Sequence, residues 1–467
     1  MKPLHAFGDD ALGDLDAVGL VAALQAGRVS VPEVVEAAVA RTEAVSPALN
    51  AVAFGAFDRA RLEAREPRGG FFAGVPTFLK DNVEVAGMPT QHGSDAFVSP
   101  PSKADGDFAR MYLATGLVPL GKTQLSEFGF SAAAEHVRLG PVRSPWHRDH
   151  SAGASSAGSA ALVAAGAVPI AHANDGGGSI RIPASVNGLV GLKPTRNRLA
   201  QDKLMRDMPV RIVSDGVVTR TVRDTAAFYR EAEKVFRNLE LAPVGDITRP
   251  GRRRLTVAVV TGVLGREATP EVRELTLKTA ALLEGLGHRV EEVDAPVPES
   301  FRDDFLLYWS MLAAATVRTG RLTHGRTWDR DQLDDLTRGL DRHCRRNLHR
   351  LPFAMRRIAR SHIWSAEFHR TYDVVLSPTL AAPTPLVGHL EPTGGYEQVM
   401  ERLLEWVVFT PLANATGDPA ISLPIAATDA GLPQGMMFGA GAGQEALLLE
   451  LAYELEAAAP FARIQGL

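Results

Sequence analysis

The chain has 467 residues, 45% hydrophobic and 22% charged, a globular composition at a length suited to one large α/β domain or to two or three smaller ones. Fifty basic against 54 acidic side chains leave a net charge of −4, which excludes the strongly basic footprint of a nucleic-acid binder. The single cysteine, Cys344, excludes an intrachain disulfide and fits a reducing compartment.

In chain order, residues 15–26 pattern as an amphipathic helix ending at Gly27. Ser30 and Glu33 in S-V-P-E form a capping box ahead of a second helix, VVEAAVARTEAV. Residues 71–85 alternate short apolar runs with turns, 107–115 pattern as helix, and LVPLGKT (117–123) as a short buried strand. From 151 to 198 the composition shifts to Gly, Ala and Ser. A flexible linker has that bias. Here, however, Ser159 to Ala165 keeps a small-residue helix pattern, VPIAHAND reads as a buried strand, and SVNGLVGLKPT continues the apolar periodicity. Branched apolar runs of this kind predict a packed core.

Residues 236–254, with Pro, Gly and a basic RRR, mark a subdomain connection. Beyond it, LTVAVV (255–260), the helix PEVRELTLKTAALLEGLG and the strand HRVEEVD make a β-α-β unit, which implies parallel pairing. Residues 300–370 pattern mostly as helix and carry Trp309, Trp328 and Trp364. YDVVLSPT (372–379) returns to strand, and PAISLPI precedes a last helix at 444–457.

The N-terminal MKPLHAFGDDALG has no apolar stretch of the secretory type. The longest apolar run, AALVAAGAVPIA (160–171), is too short to span a bilayer, and Gly and Pro interrupt it. The expectation is a cytoplasmic protein without membrane or nucleic-acid partner, monomer or homodimer. Cys344 lies near His343 and His349, but a buried helical cysteine is the expected role. His147 and His150 lack a third ligand nearby, so no metal site is expected there.

Three segments hold residues able to do chemistry. GVPTFLKDNVEVAG (74–87) holds Lys80. A lysine is by default a solvated surface group, yet this one follows Thr-Phe-Leu in an apolar run. Its ordinary pKa of about 10.4 leaves almost no free amine at neutral pH. Desolvation lowering it by about 3 units, or about 4 kcal/mol, would make it a base. GASSAGSAALVAAG (153–166) holds Ser155 and Ser156, and NDGGGSIRIPAS (174–185) holds Ser179. Three glycines before a serine let successive N–H groups turn toward one point, as an oxyanion hole requires. GGGS lacks the G-K-[ST] ending of a P-loop and the G-x-G-x-x-G spacing of a dinucleotide fold. Asp175 and Arg181 flank Ser179 as an expected pair bracing the loop.

GVPTFLKDN, GKTQLSEFG, GASSAGSAALVAAGAVPIAHANDGGGSIRIPAS and GLKPT, followed by NATGDPAISLPI and GLPQG, resemble the amidase-signature family in order along almost the whole chain. The resemblance implies an α/β fold in one domain, residues 1–467: a mixed central β-sheet flanked by helices, with a helical insertion at 300–370 on the substrate side. It implies Ser179 as nucleophile, Ser155 as the cis-serine relay and Lys80 as base. Gly176, Gly177 and Gly178 would supply oxyanion donors, Ser156 would support the loop with Asp175 and Arg181, and Gly129 and Phe130 would line the acyl pocket. No metal or organic cofactor is implied. The expected reaction is hydrolysis, through an acyl-enzyme, of a small-molecule partner: an aryl or alkyl amide, a carbamate (urethane) or an ester. Nylon-oligomer hydrolases, aryl acylamidases and urethanases lie nearest within the resemblance. Four positions depart from the usual pattern: Ala154 and Ala157 replace glycines, Asn174 stands where Thr is usual, and Gly176 where a branched residue is common.

Three other readings compete. An α/β-hydrolase esterase would use Ser155 in a G-x-S-x-G elbow, but Ala157 occupies the last glycine. A penicillin-binding-type hydrolase needs S-x-x-K, which the chain lacks. The amidase subunit of an aminoacyl-tRNA amidotransferase would share the motifs, but residues 300–370 show no basic surface with interleaved aromatics that compels it.

Overall fold

The structure, a computed structural model, describes residues 2–137 and 139–466. Its centre is an eight-stranded mixed sheet. The strands run in the order Arg289–Glu292, Thr256–Val259, Val374–Pro378, Pro433–Ala440, Ala420–Ala427, Val190–Lys193, Ser214–Thr219 and Ile170–Asp175. The β-α-β unit is found at one edge: Arg289–Glu292 and Val374–Pro378 both pair parallel to Thr256–Val259. Every other joint in the sheet is antiparallel. Parallel pairing follows the helix Pro270–Gly285, long enough to carry the chain back across the sheet. The tight connection between Ala420–Ala427 and Pro433–Ala440 instead forces a hairpin.

A second sheet of three strands joins Val52–Gly55, Val118–Thr123 and Pro76–Lys80. Every residue of Pro76–Lys80 is buried, so the strand reads as an unbroken apolar run ending in a lysine. Two bonds stitch it to the edge of the large sheet. Thr77 Oγ1 donates to Ile170 O at 2.9 Å, and Lys80 N donates to His172 Nδ1 at 3.2 Å.

The Gly-Ala-Ser stretch is core. Its helix, Ala157–Ala164, is wholly buried, and a Cβ on Gly158 would stand 2.2 Å from Ala51 O. Backbone-to-backbone packing this close admits only the smallest residues. The helix Val31–Leu49 starts on the expected capping box and continues past the expected end through Pro47 to Asn50 in the left-handed conformation. Residues 300–370 form four helices, Phe301–His324, Asp335–Arg346, Leu351–Ala359 and Ser361–Phe368. Cys344 is buried in the second of them. Among the described residues, no helix is long and apolar enough to cross a membrane.

Candidate active site

Three backbone elements bring the chemistry together. Lys80 ends a buried strand, Ser155 and Ser156 lead into Ala157–Ala164, and Ser179 sits in the turn between strand Ile170–Asp175 and helix Arg181–Val186. The Ala154–Ser155 peptide is cis. Lys80 Nζ donates to Ser155 Oγ at 2.7 Å and to Asn174 Oδ1 at 2.6 Å. Ser156 Oγ exchanges bonds of 3.3 Å with the backbone of Asn174, tying the Ser155–Ser156 segment to the strand that leads into the glycine-serine turn. Lys80 is fully buried. Burial pushes its amine down to about 7 against the opposing pull of the Asp215 and Asp175 carboxylates.

The glycine-serine turn is braced from below. Arg181 makes a two-pronged pair with Asp175, Nε to Oδ2 and Nη2 to Oδ1, each 2.9 Å. Both side chains are buried, which makes this a dry pair unlike an exposed ion pair. Burial alone would raise the Asp175 carboxyl, but Arg181 and Asn414 hold it well below the usual carboxylate range. Asn414 Nδ2 bonds Asp175 Oδ1 at 2.9 Å, and Thr410 Oγ1 donates to Gly177 O at 2.6 Å. These two residues escaped the sequence reading: neither belongs to the nucleophile segment, and only the NAT of NATGDPAISLPI gives a local hint.

The glycine turn offers fewer free donors than its sequence suggests. Gly178 N donates to Asp175 Oδ1 at 2.7 Å, so its hydrogen points into the brace. The N–H groups of Gly176, Gly177 and Ser179 have no protein acceptor among the described residues. Ser179 Oγ makes no hydrogen bond among them either, and Ser179 lines an open-sided cleft.

Gly129 and Phe130 line the same cleft. Gly129 has φ +78°, and a Cβ there would stand 3.2 Å from Ser155 Oγ. The opposite wall is apolar: Phe301, Phe305 and Trp309 from one helix of the 300–370 region, and Met400, Leu403 and Leu404 from helix Tyr396–Trp406. Arg266 and Arg302 are the charged residues on its lining, and no carboxylate lines it among the described residues. Of the three tryptophans, Trp309 alone faces the cleft. Trp328 packs on His324, and Trp364 packs on Phe301. His147 and His150 stack edge to face away from the cleft.

The amidase family profile matches residues 33–449. A Mycobacterium leprae (strain TN) protein named "Putative amidase AmiC" is 64% identical over 466 residues, covering 100% of this chain and 99% of that one. A solved structure of 6-aminohexanoate cyclic dimer hydrolase with substrate superposes with TM-score 0.86 at 30% identity, covering 98% of this chain and 99% of its own. A bacterial aryl acylamidase superposes with TM-score 0.84 at 26% identity, covering 96% of each chain. With a strand-borne lysine, a serine-rich helix entry and a glycine-serine turn around one cleft, the chain belongs to the amidase-signature family and is a hydrolase of C–N bonds other than peptide bonds.

Proposed function

We propose that the protein hydrolyses small, neutral aryl or alkyl amides, and carbamates and esters with the same acyl geometry, through Ser179, Ser155 and Lys80. The observation that carries this reading is the 2.7 Å bond from a fully buried Lys80 Nζ to Ser155 Oγ, beside a serine that opens on an apolar cleft. As the free amine, Lys80 accepts the Ser155 proton while Ser155 takes the proton of Ser179. Ser179 Oγ attacks the carbonyl carbon. The N–H groups of Gly176, Gly177 and Ser179 are the candidates to receive the oxyanion. The proton then returns through Ser155 to the leaving nitrogen, and water resolves the acyl-enzyme by the same route. In a site awaiting substrate, the Ser155–Ser179 contact is expected to tighten only on binding.

Backbone donors recognise a carbonyl and no particular side chain, so amide, carbamate and ester carbonyls are all accepted. Relay protonation favours nitrogen leaving groups. Substrate affinity comes from burying apolar groups against the Phe305–Trp309 wall.

Two measurements test the proposal. A fluorophosphonate should modify Ser179, located by mass spectrometry; an adduct on Ser155 with Ser179 untouched overturns the triad. Purified protein should release aromatic amine from a nitroanilide and from an N-aryl carbamate. Release from neither, with Ser179 reactive, overturns the substrate class.

A further inference from the structure

Behind Lys80, on the side away from Ser155, lies a buried polar cluster that the proposed reaction leaves unused. Asn174 and Asp215 stand opposite each other in the register of strands Ile170–Asp175 and Ser214–Thr219. Asn174 Oδ1 takes the 2.6 Å bond from Lys80 Nζ. That fixes the amide oxygen on Lys80, at the strand position that faces Asp215 across the register. His172, two residues earlier, closes the cluster. Its Nδ1 accepts from Lys80 N at 3.2 Å, so a neutral ring carries its hydrogen on Nε2 and donates it to Asp215 Oδ1, 3.2 Å away. Burial and the neighbouring Lys80 hold His172 neutral, well below the ordinary imidazole value.

Asp215 is thus buried and accepts from the neutral His172 ring, with no cation in hydrogen-bond contact. Such a carboxylate is costly unless a positive charge compensates it, and the nearest candidate is Lys80, one amide away. The other charged groups nearby are already engaged. Asp175 is locked to Arg181. Lys122, on Val118–Thr123, bonds Val83 O at 2.6 Å and faces Asp81 at 3.6 Å. Asp202 accepts from Phe108 N at 3.1 Å.

Resting on the triad proposed above, we infer that Asp215 is a positioning residue: through the Asn174 amide it aims Lys80 at Ser155, and its charge sets the pH at which Lys80 becomes a base. Burial pushes the Asp215 carboxyl up to about 7, with Lys80 and Asn174 opposing, while its negative charge pulls the Lys80 amine upward against burial. The two groups titrate over the same range and so titrate as a pair. Removing the carboxylate leaves the desolvation of Lys80 less opposed, and the free amine then persists to lower pH.

The test is the rate of Ser179 modification by a fluorophosphonate as a function of pH, which needs no knowledge of the substrate. In Asp215→Asn the acid limb should move to lower pH by about 1–3 units, the size of a close charge effect. Asp215→Glu, which keeps the charge, should leave the limb near its wild-type position. A limb unmoved in Asp215→Asn, with labelling merely slower at every pH, overturns the inference and reduces Asp215 to a structural part. If Asp215→Asn fails to fold by circular dichroism, Asp215→Ser, which leaves room for water, is read by the same criterion. Labelling of a serine other than Ser179 is a separate failure, that of the triad itself.

Discussion

The glycine-serine turn and the cleft wall that faces it are built on opposite principles. In the turn, one carboxylate, Asp175, accepts from Gly178 N, Ile180 N, three nitrogens of Arg181 and Asn414 Nδ2. Across the cleft, Phe305 and Trp309 stack at 6.1 Å and 18°, and Phe130 meets Trp309 edge-on at 5.7 Å. A bond from Trp309 Nε1 to Phe130 O, at 3.3 Å, is the wall's polar tie to the acyl-pocket loop. Directional bonds fix where the reacting atoms stand. Apolar contact is non-directional and scales with area. Changes in the turn should therefore decide whether any substrate reacts, and changes in the wall should decide which one.

The largest expected effect is on the turn. Ser179→Ala should lower kcat by about 10⁴-fold or more, as removal of a triad nucleophile does, with the melting temperature nearly unchanged. Arg181→Met comes next. It strands the buried Asp175 without its cation, a change of about 3–5 kcal/mol in stability, and it frees the turn to drift. Both readouts should fall together: thermal unfolding by calorimetry, and turnover of a nitroanilide by at least about 10²-fold. Full activity in Arg181→Met would show that the brace does not position the turn.

Lys80 sharpens the comparison, because the role proposed for it conflicts with stability. Its folded value of about 7 lies below the ordinary 10.5. A buried base with a depressed value destabilises the fold wherever the unfolded chain would hold the proton. The penalty is thus fully present below about pH 7, shrinks as pH rises, and is gone above 10.5. Its size is on the order of 5 kcal/mol. Lys80→Met should accordingly be inactive, and its stability relative to the wild type in chemical denaturation should be more favourable at pH 6, where the wild type carries the full penalty, than at pH 9. In the wild type, amide turnover should fall as pH drops through about 7, as the free amine is lost.

How far the sequence anticipated this division depends on how local each signal is. Lys80, Ser155 and Ser179 stand in short segments whose residue types already state their chemistry, and the capping box, the β-α-β edge and the mixed sheet were all legible. The N–H of Gly178 was not, because a GGGS string does not say which hydrogens turn inward; only the position of Asp175 Oδ1 decides it. Asn414 and Thr410 lie more than two hundred residues from the turn they hold, a separation no periodicity spans. Asp215 likewise became visible only through register, opposite Asn174. The tryptophans show the converse: the pattern marked 300–370 as helical and Trp-bearing, but which indole faces the cleft is set by helix packing.

The smallest effect tests the seam where the two regions touch. A Cβ on Gly176 would lie 3.2 Å from Trp309 Cζ3, and one on Gly177 3.8 Å from its Cη2. The indole therefore lies against the nucleophile turn, and the residue commonly branched in this family is here a glycine that makes room for it. Gly176→Thr should push Trp309 outward and narrow the cleft without touching Asp175 or Arg181. Trp309→Ala should do the reverse, widening it. An aromatic contact is worth about 0.5–1.5 kcal/mol. Trp309→Ala should thus raise KM for an aryl amide by about 2- to 10-fold while leaving kcat for a short aliphatic amide within about 2-fold. Gly176→Thr should penalise the bulky acyl group more than the short one. If Trp309→Ala instead lowers kcat equally for both substrates, the indole is part of what holds the turn, and wall and turn are one unit after all.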